Sequence, residues 1–131
     1  MGTTENVEAV RRFYDEAINN RDGSACARLL TKDFVHNNEF RGREGQQAAV
    51  DTFLAAFPDL EVKVLNTVAE DDQVAAHQRW RGTHEGEFLG IPGSGNKVEF
   101  TSTAILVIHQ GLLAQAWDEV DLYGLEAQLK E

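Results

Sequence analysis

The residue best suited to chemistry is Asp118, a carboxylate near the end of an apolar, strand-like run in Ala116-Trp117-Asp118-Glu119-Val120. A carboxylate among small neighbours, partly withdrawn from water, is suited to taking up and releasing a proton. The competing reading is structural: a strand-end carboxylate can cap the helix that follows or pair with an arginine such as Arg79. Asp121 stands where that helix's N-cap is expected, so its carboxylate is read as the cap. His84 opens a glycine-rich segment, Arg81-Gly82-Thr83-His84-Glu85-Gly86, and shares strand parity with Gln78 and Trp80. That parity places it at a pocket mouth as donor or proton partner, against the alternative of a histidine satisfied within the structure. His36-Asn37-Asn38 is a polar cluster where a short strand meets a loop, able to orient a ligand or simply to make the turn.

Other chemistries lack their residues. His36, His77, His84 and His109 show no close pairing, and Cys26 is the one thiol, so no metal site is expected. No glycine pattern of the phosphate-cradling kind opens a helix and no nucleophile elbow occurs, so no cofactor is expected. Cys26 sits in an apolar stretch that suits inert packing. Lys and Arg number 12 against 22 Asp and Glu, a net charge of −10 that repels phosphate backbones, so nucleic acid is not an expected partner. No apolar run is long enough to cross a bilayer and the N-terminus shows no secretory pattern, so no membrane association is expected and the reducing cytoplasm is the expected compartment.

The elements that must position these residues can be read from periodicity. The 131 residues suit one domain, 1–131, with no internal repeat or linker. Val7, Val10, Tyr14, Ala17 and Ile18 recur at helical spacing and predict a helix over Thr4 to Asn20. A second is expected over Ser24 to Leu30, and a third over Glu44 to Phe57, stopped by Pro58. The period then changes to two: Leu60, Val62 and Val64 alternate with charged residues, Val74 to Thr83 reads extended, and Lys97 to Ile108 with Leu112 to Val120 predicts a hairpin. A last short helix is expected over Leu122 to Leu129. This is an α+β domain with helices against one face of a curved antiparallel sheet.

If no bulge intervenes, one face of the hairpin carries Phe100, Ser102, Ala104, Leu106 and Ile108, with Leu112, Ala114, Ala116 and Asp118 opposite. Side chains that small admit either a close-packed helix or a pocket, and a pocket is the expectation. The other face shows Ile105, Val107, Leu113 and Trp117, too apolar for water. It predicts a homodimer through the outer face of the sheet, unless the terminal helix covers it.

Four stretches carry a family resemblance. They are Asp33-Phe34-Val35-His36-Asn37 with Gly42-Arg43-Glu44-Gly45; Ala56-Phe57-Pro58-Asp59-Leu60; Gly82 through Pro92; and Trp117 through Leu129. Together they resemble the SnoaL-like polyketide cyclases, or ester cyclases, of the nuclear-transport-factor-2-like superfamily, over nearly the whole chain. The resemblance implies a cone-shaped barrel, a strongly bent antiparallel or mixed sheet wrapped around the N-terminal helices, with an apolar pocket and a dimeric or tetrameric state. It implies ring closure by cofactor-independent intramolecular aldol chemistry, with Asp118 as acid/base and His84 in the pocket. One departure stands out: Ala104 occupies the position where those cyclases keep a second pocket histidine.

The candidate set is therefore Asp118 and His84 as catalytic residues, with His36, Asn37, Tyr14, Trp80, Ala104 and Phe88 against the substrate. The expected activity is cyclisation of a polyketide-like ester or related small apolar carbonyl compound. An epoxide hydrolase using Arg79 with Asp118 is the alternative enzyme, and a non-catalytic, dimeric ligand-binding module is the alternative outside catalysis. A ketosteroid-isomerase reading has Tyr14 available but Asn38 where a base is needed.

Overall fold

The computed structural model describes residues 2–131. α1 (Thr3–Phe13) buries Ala9, Val10 and Phe13 along one face and leaves Glu8, Arg11 and Arg12 outside, as its apolar spacing requires. At Tyr14 the helix widens into a π turn, Tyr14–Asn19, in which the Asn20 N–H reaches back five residues to the Asp15 carbonyl at 2.8 Å. The predicted first helix is thus present but not uniform, and its irregularity falls at an aromatic residue facing the interior. Asp22 caps a short 3₁₀ turn, Gly23–Ala25, that runs into α2 (Cys26–Leu29). Leu30 ends that helix a residue before the expected boundary because it already starts β1 (Leu30–His36). After β2 (Glu39–Phe40), α3 (Gly42–Ala56) stops just before Pro58.

The rest of the chain builds β3 (Glu61–Glu70), β4 (Gln73–Thr83), β5 (Lys97–His109), β6 (Leu112–Val120) and α4 (Leu122–Leu129). The strand order is β2-β1-β6-β5-β4-β3, antiparallel throughout except where β1 runs parallel to β6. In β5 the alternation is clean: Val98, Phe100, Ser102, Ala104, Leu106 and Ile108 are buried, while Lys97, Glu99, Thr101, Thr103 and Ile105 face out. The inner face closes over α1, the π turn and α3, the α+β arrangement of a curved sheet around N-terminal helices that the sequence predicts.

The hairpin breaks its expected parity once. Val107 pairs with Gln115 and Ile108 with Leu113, so Ala114 is an extra residue on β6. The bulge turns Leu113 inward, to 1% exposure, and Leu112 partly outward. Leu113 is therefore a core residue and not part of the outer apolar face. Ala116 and Asp118, beyond the bulge, keep the inner face.

Three strand positions left without a backbone neighbour are closed by primary amides, which carry one donor and one acceptor edge and so match a residue's C=O and N–H. Asn19 bonds the carbonyl and N–H of Val62 at 3.0 and 2.8 Å. Gln128 does the same for Glu99 at 2.8 and 2.7 Å, and Asn37 for Asp118 at 3.2 and 2.8 Å. Gln128 thereby ties α4 to β5 beyond the end of β6, while Leu125 and Leu129 enter the core. The outer face stays open: Val68, Ala75, Ile105 and Trp117 align in one row across four strands, with Ile105 43% exposed. Among the described residues, no helix is long and apolar enough to cross a membrane.

Candidate active site

A cavity of about 460 Å³ opens between the inner face of the sheet, the π turn and α3. It exists because Ala104 and Ala116 present only methyl groups at mid-sheet, where larger side chains would have filled the space. Its walls are aromatic. Trp80 stacks on Phe100 at 5.9 Å with the rings 3° apart and on Phe53 at 6.3 Å, and it receives the Tyr14 ring edge-on at 6.1 Å. Phe88, from the glycine-rich loop, packs on Phe53 at 5.1 Å and closes one side.

Asp118 lies at the polar end of this cavity, directly across the sheet from Ala104, with its side chain 29% exposed. Its backbone is held by the Asn37 amide, and its Oδ2 lies 3.6 Å from His36 Nε2, just beyond direct hydrogen bonding. Asn37 and Asn38 both adopt left-handed backbone, at φ 49° and 68°, a conformation that asparagine tolerates better than most residues. Asn38 then accepts the Trp117 indole N–H at 3.0 Å. The His36-Asn37-Asn38 turn is thus fastened to β6 at Trp117 and Asp118, and His36 and Asn37 line the cavity as well as making the turn.

Tyr14 is buried against the same cavity, and its phenol is held well above the usual range. Burial is the main cause and the nearby Asp118 carboxylate adds to it, while the Gln78 amide N–H acts in the opposite sense. The hydroxyl therefore stays protonated and available as a donor. Tyr14, His36, Asn37, Trp80, Phe88, Ala104 and Asp118 all line the one cavity, as the sequence reading grouped them.

His84 is placed elsewhere. Its ring is fully buried beside Phe57 at 5.8 Å, with Nδ1 2.9 Å from Ser94 Oγ and accepting the Ser94 N–H at 3.3 Å. It lines no part of the cavity, and the expectation of a pocket-mouth histidine is corrected accordingly. Strand parity predicted its inward side, but its position near the base of the loop puts it too far along the strand to reach the cavity. There it fixes the loop that delivers Phe88. Arg79 likewise stays away from Asp118, its Nε 3.8 Å from Glu99 Oε1. Asp121 caps α4 as expected, accepting the Gly124 N–H at 2.9 Å. Cys26 is buried, which pushes its thiol up to about 11 and suits the inert role predicted.

Sequence reasoning missed Arg41 and Gln46, which also line the cavity and are joined by a 2.8 Å hydrogen bond. They flank the start of α3, and nothing in their local sequence marks them. The parallel pairing of β1 with β6 is what carries this end of the chain to Asp118. Among the described residues, no three His, Cys, Asp or Glu side chains converge in a metal-holding group.

Comparison with known proteins agrees with this architecture. The family described as SnoaL-like polyketide cyclase matches residues 8–129. TsrD from Streptomyces laurentii is 32% identical, with a TM-score of 0.89 over 98% of this chain and 97% of that one. IdmH from Streptomyces antibioticus, provisionally assigned as a polyketide cyclase, is 28% identical with a TM-score of 0.84, over 96% of this chain and 99% of its own. A SnoaL-like polyketide cyclase from Agrobacterium tumefaciens, at 21% identity and a TM-score of 0.83 over 98% and 99% of the two chains, shares the fold. No curated protein matches the sequence. With the family's description spanning all but the chain's ends, and the fold shared over essentially full length, the chain belongs to the SnoaL-like polyketide cyclase family.

Proposed function

We propose that the protein is a cofactor-independent cyclase acting on a polyketide-like ester or a related small apolar carbonyl compound. The observation that carries this reading is the Asp118 carboxylate, with Glu119 and His36 beside it, in a largely apolar, aromatic-walled cavity of about 460 Å³, within the range that holds small organic ligands. In the reaction, Asp118 takes a proton from a carbon α to a carbonyl, leaving an enolate. The enolate carbon attacks a second carbonyl of the same molecule, a C–C bond forms, and the new alkoxide recovers the proton from Asp118. Atoms balance without a co-reactant. The Tyr14 hydroxyl donates to the oxygen where negative charge develops, and His36 steadies the Asp118 carboxylate.

General acid/base help of this kind supplies roughly 10²–10⁴-fold, and the aromatic walls add more by holding the two reacting carbons together. The test is Asp118→Asn assayed for ring closure of β-keto and polyketide-like esters. The expected result is an unchanged fold with turnover down at least about a hundredfold. Near-full turnover removes Asp118 from the mechanism.

The rival readings are less favoured. A hydrolase built on Arg79 and Asp118 needs that arginine in the cavity, and it is at Glu99. A purely structural Asp118 predicts an ion pair with Arg79 or a filled pocket, and neither is present. The row of Val68, Ala75, Ile105 and Trp117 supports a homodimer in which a second copy covers this outer face.

A further inference from the structure

One charged side chain in the cavity has no part in the chemistry above. Arg41 lines it, half-buried, and among the described lining residues it is the one arginine or lysine. Asp118 and Glu119 line the same cavity, yet among the described residues Arg41 forms an ion pair with neither of them nor with any other carboxylate. Its side chain makes one hydrogen bond, from Nη1 to Gln46 Oε1 at 2.8 Å.

That bond fixes what the two residues offer. A guanidinium only donates, so the Gln46 amide must turn its oxygen to Arg41, and its NH₂ group is left as a second donor. Gln46 also lines the cavity, and neither its Nε2 nor the remaining N–H groups of Arg41 has a partner among the described residues. The pair therefore presents donors and a positive charge, with its acceptor already engaged. The complement is a carboxylate, whose two oxygens only accept and whose planar shape fits a guanidinium edge.

The arginine is also seated. Gly45 lies one helical turn beyond Arg41 in α3, and a Cβ added there would stand 2.7 Å from Arg41 Cγ and 3.5 Å from its Cβ. A glycine, which helix interiors disfavour, leaves the space along which the arginine stem lies.

We propose that Arg41, seated on Gly45 and paired with Gln46, is a carboxylate-recognition site, so that the substrate is a keto acid with an apolar body, a carbonyl for Asp118 and a free carboxylate at Arg41. The two charges of opposite sign orient it, because Asp118 and Glu119 repel the carboxylate that Arg41 attracts. This deepens the cyclase reading and rests on the cavity being the binding site.

The test is isothermal titration calorimetry at low salt and neutral pH with 2-naphthylacetate and its neutral, near-isosteric amide, 2-naphthylacetamide. The net charge of −10 disfavours an anion in general, so a preference for the acid has to come from a local group. The acid is expected to bind the native protein about tenfold tighter, the lower scale of a charge-assisted bond at a half-buried site. Arg41→Met should remove that preference while amide binding holds. Gln46→Glu, which gives Arg41 an anionic partner within the protein, should do the same and serves if Arg41→Met fails to fold. Gly45→Ala keeps the charge and favours the helix but displaces the arginine stem, and should reduce the preference several-fold.

Equal binding of the two probes to the native protein, or a preference that survives Arg41→Met or Gln46→Glu, overturns the proposal. A preference undiminished in Gly45→Ala shows a diffuse charge effect and overturns the built site. Binding of neither probe overturns the cavity reading together with this one. A fully active Asp118→Asn would instead end the acid/base reading and leave the dependence on Arg41 standing, so the two failures are distinguishable.

Discussion

Removing the amide of Asn37 should loosen Asp118 in a way that can be divided into parts. Its side chain makes two hydrogen bonds to the Asp118 backbone, at 2.8 and 3.2 Å, in a setting open to water. Exposed bonds fall at the low end of the usual range, so the pair contributes about 1–2 kcal/mol. The backbone at Asn37 has a φ of 49°, which an alanine adopts at a further cost of about 1 kcal/mol and a glycine at none. Asn37→Gly should therefore lower stability by about 1–2 kcal/mol and Asn37→Ala by about 2–3, read from urea midpoints at an unchanged slope. The difference between the two variants isolates the left-handed backbone, and the glycine value isolates the clamp. Ring-closing turnover should fall in both, because a displacement of about 1 Å at a catalytic group can cost about a hundredfold. A glycine variant within about 0.3 kcal/mol of the native protein would show that the clamp holds nothing.

Two further outcomes can be checked on the same material. Ile105→Asp places a charge in the outer row and should convert a dimer to a monomer of unchanged circular dichroism by analytical ultracentrifugation; a native protein that is already monomeric at high concentration refutes the outer-face reading. Asp59 accepts the Thr83 N–H and hydroxyl, both at 2.7 Å, and these bonds hold its carboxyl below the usual carboxylate range. A depressed folded value means stabilisation that is complete above the unfolded value near 4 and lost as pH falls through the folded one. Asp59→Ala should thus melt lower than the native protein at pH 6, with the gap closing as pH drops below about 4. A gap that stays constant down to pH 3 would contradict the assignment.

Much of the site was legible because strand parity is a local property. Ala104, Ala116 and Asp118 fall on one face by counting in twos, and the structure keeps them there. The same counting failed at Leu113, because one extra residue, Ala114, reverses every side chain upstream of it. His84 shows the complementary limit: parity fixes the side of the sheet but not the distance along it. Its inward side was readable, and its partner Ser94 was not, since only the folded loop brings the two together.

What the sequence alone determined is the set of elements and the faces they bury: three leading helices, a period-two second half, the small-residue patch beneath a carboxylate, and four stretches with a family likeness. These follow from spacing, and spacing is written in the chain. What only the tertiary structure decided is which polar groups meet. Asn19 with Val62, Asn37 with Asp118, Gln128 with Glu99, and Trp80 with Ser102 are each more than 20 positions apart and become neighbours only when the sheet closes. The physical reason is that a hydrogen bond is directional and short, so it is specified by the meeting of two surfaces, whereas apolar burial needs only a side and a period.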